Sequence, residues 1–115
     1  MSSSVFSPTA EDSLHLSDHT PAPSHAIVSR TLLATPELRV VLFSFAAGQT
    51  LTEHTSTSRA VIQVLSGAGE FTLGGKPRKL AAGDLLHMPP KLPHAVLATE
   101  PMTMLLTLAP PRIAS

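Results

Sequence analysis

The stretch Ala60-Val-Ile-Gln-Val-Leu65, Ser66-Gly67, Ala68-Gly-Glu-Phe-Thr-Leu73, Gly74-Gly75, Lys76-Pro-Arg-Lys-Leu-Ala81 decides the fold class. Ala60–Leu65 and Glu70–Leu73 read as short strands, each closed by glycine-containing turn chemistry. Gly74-Gly75 lies between Phe71/Leu73 and Lys76–Leu80. It reads as a tight hairpin, because both glycines can take positive φ. Ala60–Leu65 presents one wholly apolar face, and the other face carries only Gln63 as a polar group. That suits a strand covered on both sides, in a double-layered sheet or at a subunit contact.

Working outward, the same rhythm continues. Further strand-like runs are Ala26–Ala34, Glu37–Ala46, Arg78–Ala81, Asp84–Met88, His94–Thr99 and Met102–Leu108. Turn pairs such as Thr35-Pro36, Ala47-Gly48, Ala82-Gly83, Pro89-Pro90 and Glu100-Pro101 separate them. Turns every eight to twelve or so positions mark an all-β domain. In the last run Met102, Met104, Leu106 and Leu108 share one face, the period-two signature of a half-buried strand. Eleven prolines argue against long helices. About eight strands without crossover helices leave a sandwich or a barrel. The absence of Cys and Trp removes the immunoglobulin markers. The predicted fold is therefore an all-β, antiparallel jelly-roll β-barrel, whose closure removes exposed strand edges. Residues 1–24, rich in Ser, Thr, Pro and Asp, read as a flexible N-terminal arm that is disordered unless it docks. Residues 25–110 form the barrel domain, and 111–115 a C-terminal tail.

Composition narrows the function classes. The 115 residues suffice for one domain, with 43% apolar residues and a formal net charge of zero. No basic face draws phosphates, so no nucleic-acid partner is expected. Lys76, Arg78 and Lys79 read as a solvated strand edge. Without cysteine there is no thiolate chemistry. No signal peptide or membrane span is visible, so a cytoplasmic protein is expected.

Six histidines remain. His15, His19 and His25 lie in or beside the polar arm and read as exposed. His87 reads as packed and hydrogen-bonded. His54 follows a polar stretch, and His94 opens a strand after Pro89-Pro90-Lys-Leu-Pro93. Each is placed to line a pocket, and neutral imidazole is the commonest metal ligand. From spacing alone, each also reads as an ordinary surface or hydrogen-bonded histidine.

The combined spacing resembles a known family. Gly48-x5-His54-x-Ser56-x3-Ala60-x6-Gly67 is similar to the first cupin motif, and Gly83-x5-Pro89-x-Lys91-x2-His94-x3-Ala98 to the second. The resemblance spans about residues 27–108. It implies the cupin double-stranded β-helix, a homodimer, and a divalent metal held by His, His, Glu and His. Here Ser56 stands at the second His position and Ala60 at the Glu position, while His54 and His94 match the first and last. Lys91 replaces a glycine and Ala98 an asparagine. The implied site is thus two histidines, with Gln63 as a possible extra oxygen ligand and Ser56, Ala60, Ile62 and Met88 lining the pocket. Gln63 and Ala60 are three positions apart, so a regular strand turns Gln63 to the opposite face. Glu53 is expected to point away by the same alternation. A bound ion would be Zn, Ni, Fe or Cu with open positions for water, weakened by the absence of a charged protein ligand. Three functions follow: an enzyme performing oxygenation, isomerisation or hydrolysis on a small organic molecule; a binding or sensing module for a small-molecule ligand without tight metal; or a structural remnant. Whether the chain is an enzyme stays open at this stage, since one fold serves many functions.

Overall fold

The computed structural model describes residues 4–21 and 23–111; residues 1–3, Ala22 and most of the expected tail, 112–115, lie outside them. Among the described residues, nine antiparallel strands follow one short 3₁₀ turn at Leu16–His19. They are β1 (Ile27–Ala34), β2 (Arg39–Phe45), β3 (Thr50–His54), β4 (Arg59–Ser66), β5 (Ala68–Leu73), β6 (Lys76–Ala81), β7 (Leu85–Met88), β8 (His94–Ala98) and β9 (Met102–Ala109). Two sheets result, one in the order β1-β2-β9-β4-β7 and the other in the order β3-β8-β5-β6. This is the jelly-roll arrangement the turn spacing predicts.

The glycine pair behaves as its chemistry requires. Leu73 pairs with Lys76 across Gly74-Gly75, whose φ values are 57° and 82°. The β6 edge exposes Lys76, Arg78 and Lys79 and carries Pro77, which suits an edge strand with no neighbour beyond it.

The core lies between the sheets. On β4, Ala60, Ile62 and Val64 point inward and are buried; on β9, Met102 and Met104 do the same. Phe45, Phe71 and Val96 complete the packing. With Phe as the only aromatic residue, branched aliphatic and Met side chains fill the space between the layers.

Two expectations need correction. Thr50–His54 is a strand, although only Leu51 in it is even half-buried. Its polar composition reflects an edge position in the four-stranded sheet. β1 exposes Ser29 and Arg30 and forms an edge of the five-stranded sheet. The N-terminal segment takes the docked alternative. The Val5 and Phe6 amides donate to the Thr31 and Leu32 carbonyls at 3.2 and 2.7 Å. Leu42 and Ser44 alternate with Phe43 and Phe45, so they face outward, yet they are only 1% and 2% exposed. Thr20, Pro21 and Pro23 line one surface cleft with Ser44, which places the arm over that outer face. His19, expected to be exposed, is half-buried there.

No helix among the described residues is long and apolar enough to cross a membrane.

Candidate functional site

His54 closes β3 and His94 opens β8, and the two are direct cross-strand partners. A bulge makes this possible. Leu51 pairs with Val96 and His54 with His94, so three residue steps on β3 match two on β8. In a regular strand Leu51 and His54 would face opposite ways. The extra residue resets the alternation and turns both to the cavity side of the sheet, Leu51 half-buried and His54 exposed at the cavity mouth. Glu53 is left exposed, as expected.

The imidazole centroids are 4.1 Å apart, with the rings inclined at 63°. Each ring is held in the same way. The Nδ1–H of His54 donates to the Thr52 carbonyl at 2.8 Å, and the Nδ1–H of His94 donates to the Leu92 carbonyl at 2.8 Å. A carbonyl can only accept, so in the neutral ring it fixes the proton on Nδ1. Both Nε2 atoms are left with free lone pairs, the arrangement by which proteins orient a ligating histidine.

Both histidines line a cavity of about 240 Å³ between the sheets. Ser56, Ala60, Ile62 and Met88 line the same cavity, together with Ser58 and Leu92. Sequence reading did not name the last two. The remaining wall is apolar and includes Phe43, Met104 and Leu106. The Ser58 amide donates to Ser56 Oγ at 3.1 Å, and the Lys91 amide to the Ser56 carbonyl at 2.7 Å. Ser56 thus ties the segment after β3 to the segment before β8 at the pocket mouth. Lys91 has φ 70°, alone among the described non-glycine residues in being positive. The backbone keeps a shape that favours glycine, although the side chain does not.

Two candidates lie elsewhere. Gln63 is exposed on the outer face of β4, between Leu85 and Leu105 of the neighbouring strands. The only shift in β4 pairing falls between Val64 and Ser66, beyond Gln63, so its parity stays regular and it cannot join the pocket. His87 is exposed on that same face rather than packed, and its Nε2 accepts from Arg59 Nη1 at 2.7 Å. Among the described residues, no third His, Cys, Asp or Glu completes a metal-binding cluster with His54 and His94.

Residues 41–108 match the family described as Cupin domain. The chain belongs to the cupin family. Solved structures agree with that placement. The cupin is similar to a conserved protein of unknown function from Streptococcus pyogenes, with 29% identity and a TM-score of 0.83 over 97% of this chain and 98% of that one. It is similar to KdgF from Halomonas sp., with 29% identity and a TM-score of 0.71 over 76% of this chain and 81% of that one. A cupin 2 conserved barrel domain protein from Leptotrichia buccalis shares 34% identity and a TM-score of 0.79, over 84% of this chain but 47% of the longer one. No curated protein sequence matches the cupin.

Proposed function

We propose that this cupin holds a transition-metal ion through His54 Nε2 and His94 Nε2 and acts on a small, mostly apolar organic molecule bound beside it. The observation that carries this reading is the duplicated tether. Two adjacent imidazoles each spend the Nδ1 proton on a carbonyl two residues back and present Nε2 within one cavity. The residues fit an ion with two protein ligands and open positions. They do not fit a closed four-ligand site, because the described wall offers no carboxylate.

A bound ion would supply Lewis acidity toward an oxygen of the organic molecule or toward water. The chain's own residues do the rest. Ser56 Oγ already accepts from the Ser58 amide, so its hydroxyl proton is free to donate to a polar group of the ligand. Ile62, Leu106 and Leu108 exclude water from the inner wall. A cavity of about 240 Å³ is smaller than the roughly 300–1,000 Å³ typical of drug-sized sites, so the ligand is a small metabolite-sized molecule.

Thermal unfolding with added Ni, Zn, Fe or Cu ions tests the reading. An ion at about 100 times its Kd adds roughly 2.7 kcal/mol of stability. The wild type is expected to gain this, and a His54→Ala, His94→Ala double variant to gain nothing. Identical melting of the two with every metal would remove the ion from the proposal. The apolar wall without a charged donor favours a second reading, a metal-free binding or sensing module. Small-molecule hits whose stabilisation survives a chelator would select it. We further propose a homodimer, supported by the exposed Leu85 of β7 beside the half-buried Val61 and Leu65 on the outer face of β4.

A further inference from the structure

The charge balance of this pocket defines its organic ligand more closely, and this inference rests on the two-histidine reading above. We propose that the ligand is a small carboxylic acid in its anionic form, and that it binds cooperatively with the metal ion because it supplies the negative charge the cavity wall lacks.

The wall is sorted by polarity. His54 is exposed, and Ser56, Ser58 and His94 are half-buried, so the polar groups lie toward the mouth. Ala60, Ile62, Met88 and Met104 are buried and form an apolar floor. A ligand that fits both parts has a polar head and an apolar body.

Charge defines the head. Both tethered imidazoles are neutral donors, and the described cavity wall carries no Asp, Glu or Cys. Glu53 adjoins His54 in sequence, but it is exposed and does not line the cavity. A divalent ion on two neutral donors keeps its full charge beside an apolar floor, where an unpaired charge is costly. Solvent screens it on the mouth side only. An anion bound in the cavity offsets that charge, and the low dielectric of the floor strengthens the attraction. The acid has the converse need. Without the ion, its carboxylate meets two imidazole nitrogens that present lone pairs and no protons. Each partner is therefore held weakly alone and tightly with the other.

The mouth also suits an anionic head. Ser56 Oγ accepts from the Ser58 amide and keeps its own proton to donate, and a hydrogen bond to an ionised oxygen is stronger than one to a neutral oxygen. The Lys91 amide donates to the Ser56 carbonyl, so this exposed lysine places a cation on the entry side. A cation there draws anions toward the cavity.

The test is calorimetric titration of the purified full chain with Ni and with Zn, in the presence and absence of acid. The probes are linear, branched and aromatic carboxylates of about four to eight carbons, small enough for the cavity, each beside its uncharged primary amide. At least one acid is expected to strengthen metal binding about tenfold or more, and its amide to change it by less than about twofold. Linkage requires the metal to strengthen binding of that acid by the same factor. Ala60 lines the cavity with both histidines. Ala60→Glu adds a carboxylate to the wall and is expected to raise metal affinity without acid by about tenfold. Ala60→Gln adds the same bulk without the charge and is expected to leave that affinity within about twofold. Should either variant fail to fold, the wild-type titrations decide alone. Metal affinity that no acid raises, or that amides raise as much as acids, overturns the carboxylate inference and leaves the two-histidine reading standing. Acid binding that is equally tight without metal overturns it in favour of the metal-free module. Absence of metal binding under every condition overturns both.

Discussion

Lys91 shows how a single residue can carry the imprint of a different one. Its φ of 70° costs an L-residue about 1–2 kcal/mol, and glycine avoids most of this. Glycine also loses more freedom on folding, which returns part of the gain. Lys91→Gly is therefore expected to stabilise the chain by about 0.5–1 kcal/mol in urea unfolding, with the pocket unchanged. Gly67 is the reverse case. Its φ is 74°, and a Cβ there would run into the Pro101 carbonyl. Gly67→Ala is expected to cost about 2–4 kcal/mol in the same assay. Residue chemistry was legible in the sequence where the residue type dictates it. Gly74-Gly75 announced its turn, and His54 and His94 announced their pairing through motif spacing. The imidazole tethers were not legible, because a carbonyl acceptor has no side-chain signature.

At the level of elements, alternation was the readable signal, and it failed where alternation breaks. β9 and β4 were plain in the sequence, since Met102, Met104, Ile62 and Val64 keep a strict period of two and bury one face. β3 was not, for two physical reasons. It is an edge strand with little to bury, and its bulge interrupts the period between Leu51 and His54. That same bulge puts His54 in the pocket. The regular parity of β4 gives a sharp contrast between neighbours. Ile62 is buried and lines the cavity, whereas Gln63 is exposed on the other face. Ile62→Ala is expected to lose about 2–5 kcal/mol of stability. Gln63→Ala should stay within about 0.5 kcal/mol of wild type and leave metal affinity unaltered. A loss of metal binding in Gln63→Ala would mean that β4 does not keep this register.

On the scale of the whole molecule, the argument concerns sheet edges and the outer face. Unpaired edges invite association unless charge, proline, bulges or a covering segment blunts them. Three of the four edges are blunted here. β6 carries Lys76, Pro77, Arg78 and Lys79; β3 is bulged; and β1 receives the amides of Val5 and Phe6. The remaining edge, β7, is four residues long and leaves Leu85 71% exposed beside the outer face of β4. Gln63 there lies between Leu85 and Leu105, with Val61 and Leu65 on the same face. An apolar side chain this exposed beside further apolar residues suits a contact with a second copy of the chain. Light scattering at micromolar concentration is expected to give twice the chain mass. Leu85→Lys, which adds a charge without touching the inner core, should return the monomer and leave the metal-dependent stabilisation intact. A monomeric wild type would end the dimer proposal. A Leu85→Lys dimer would move the contact to another face.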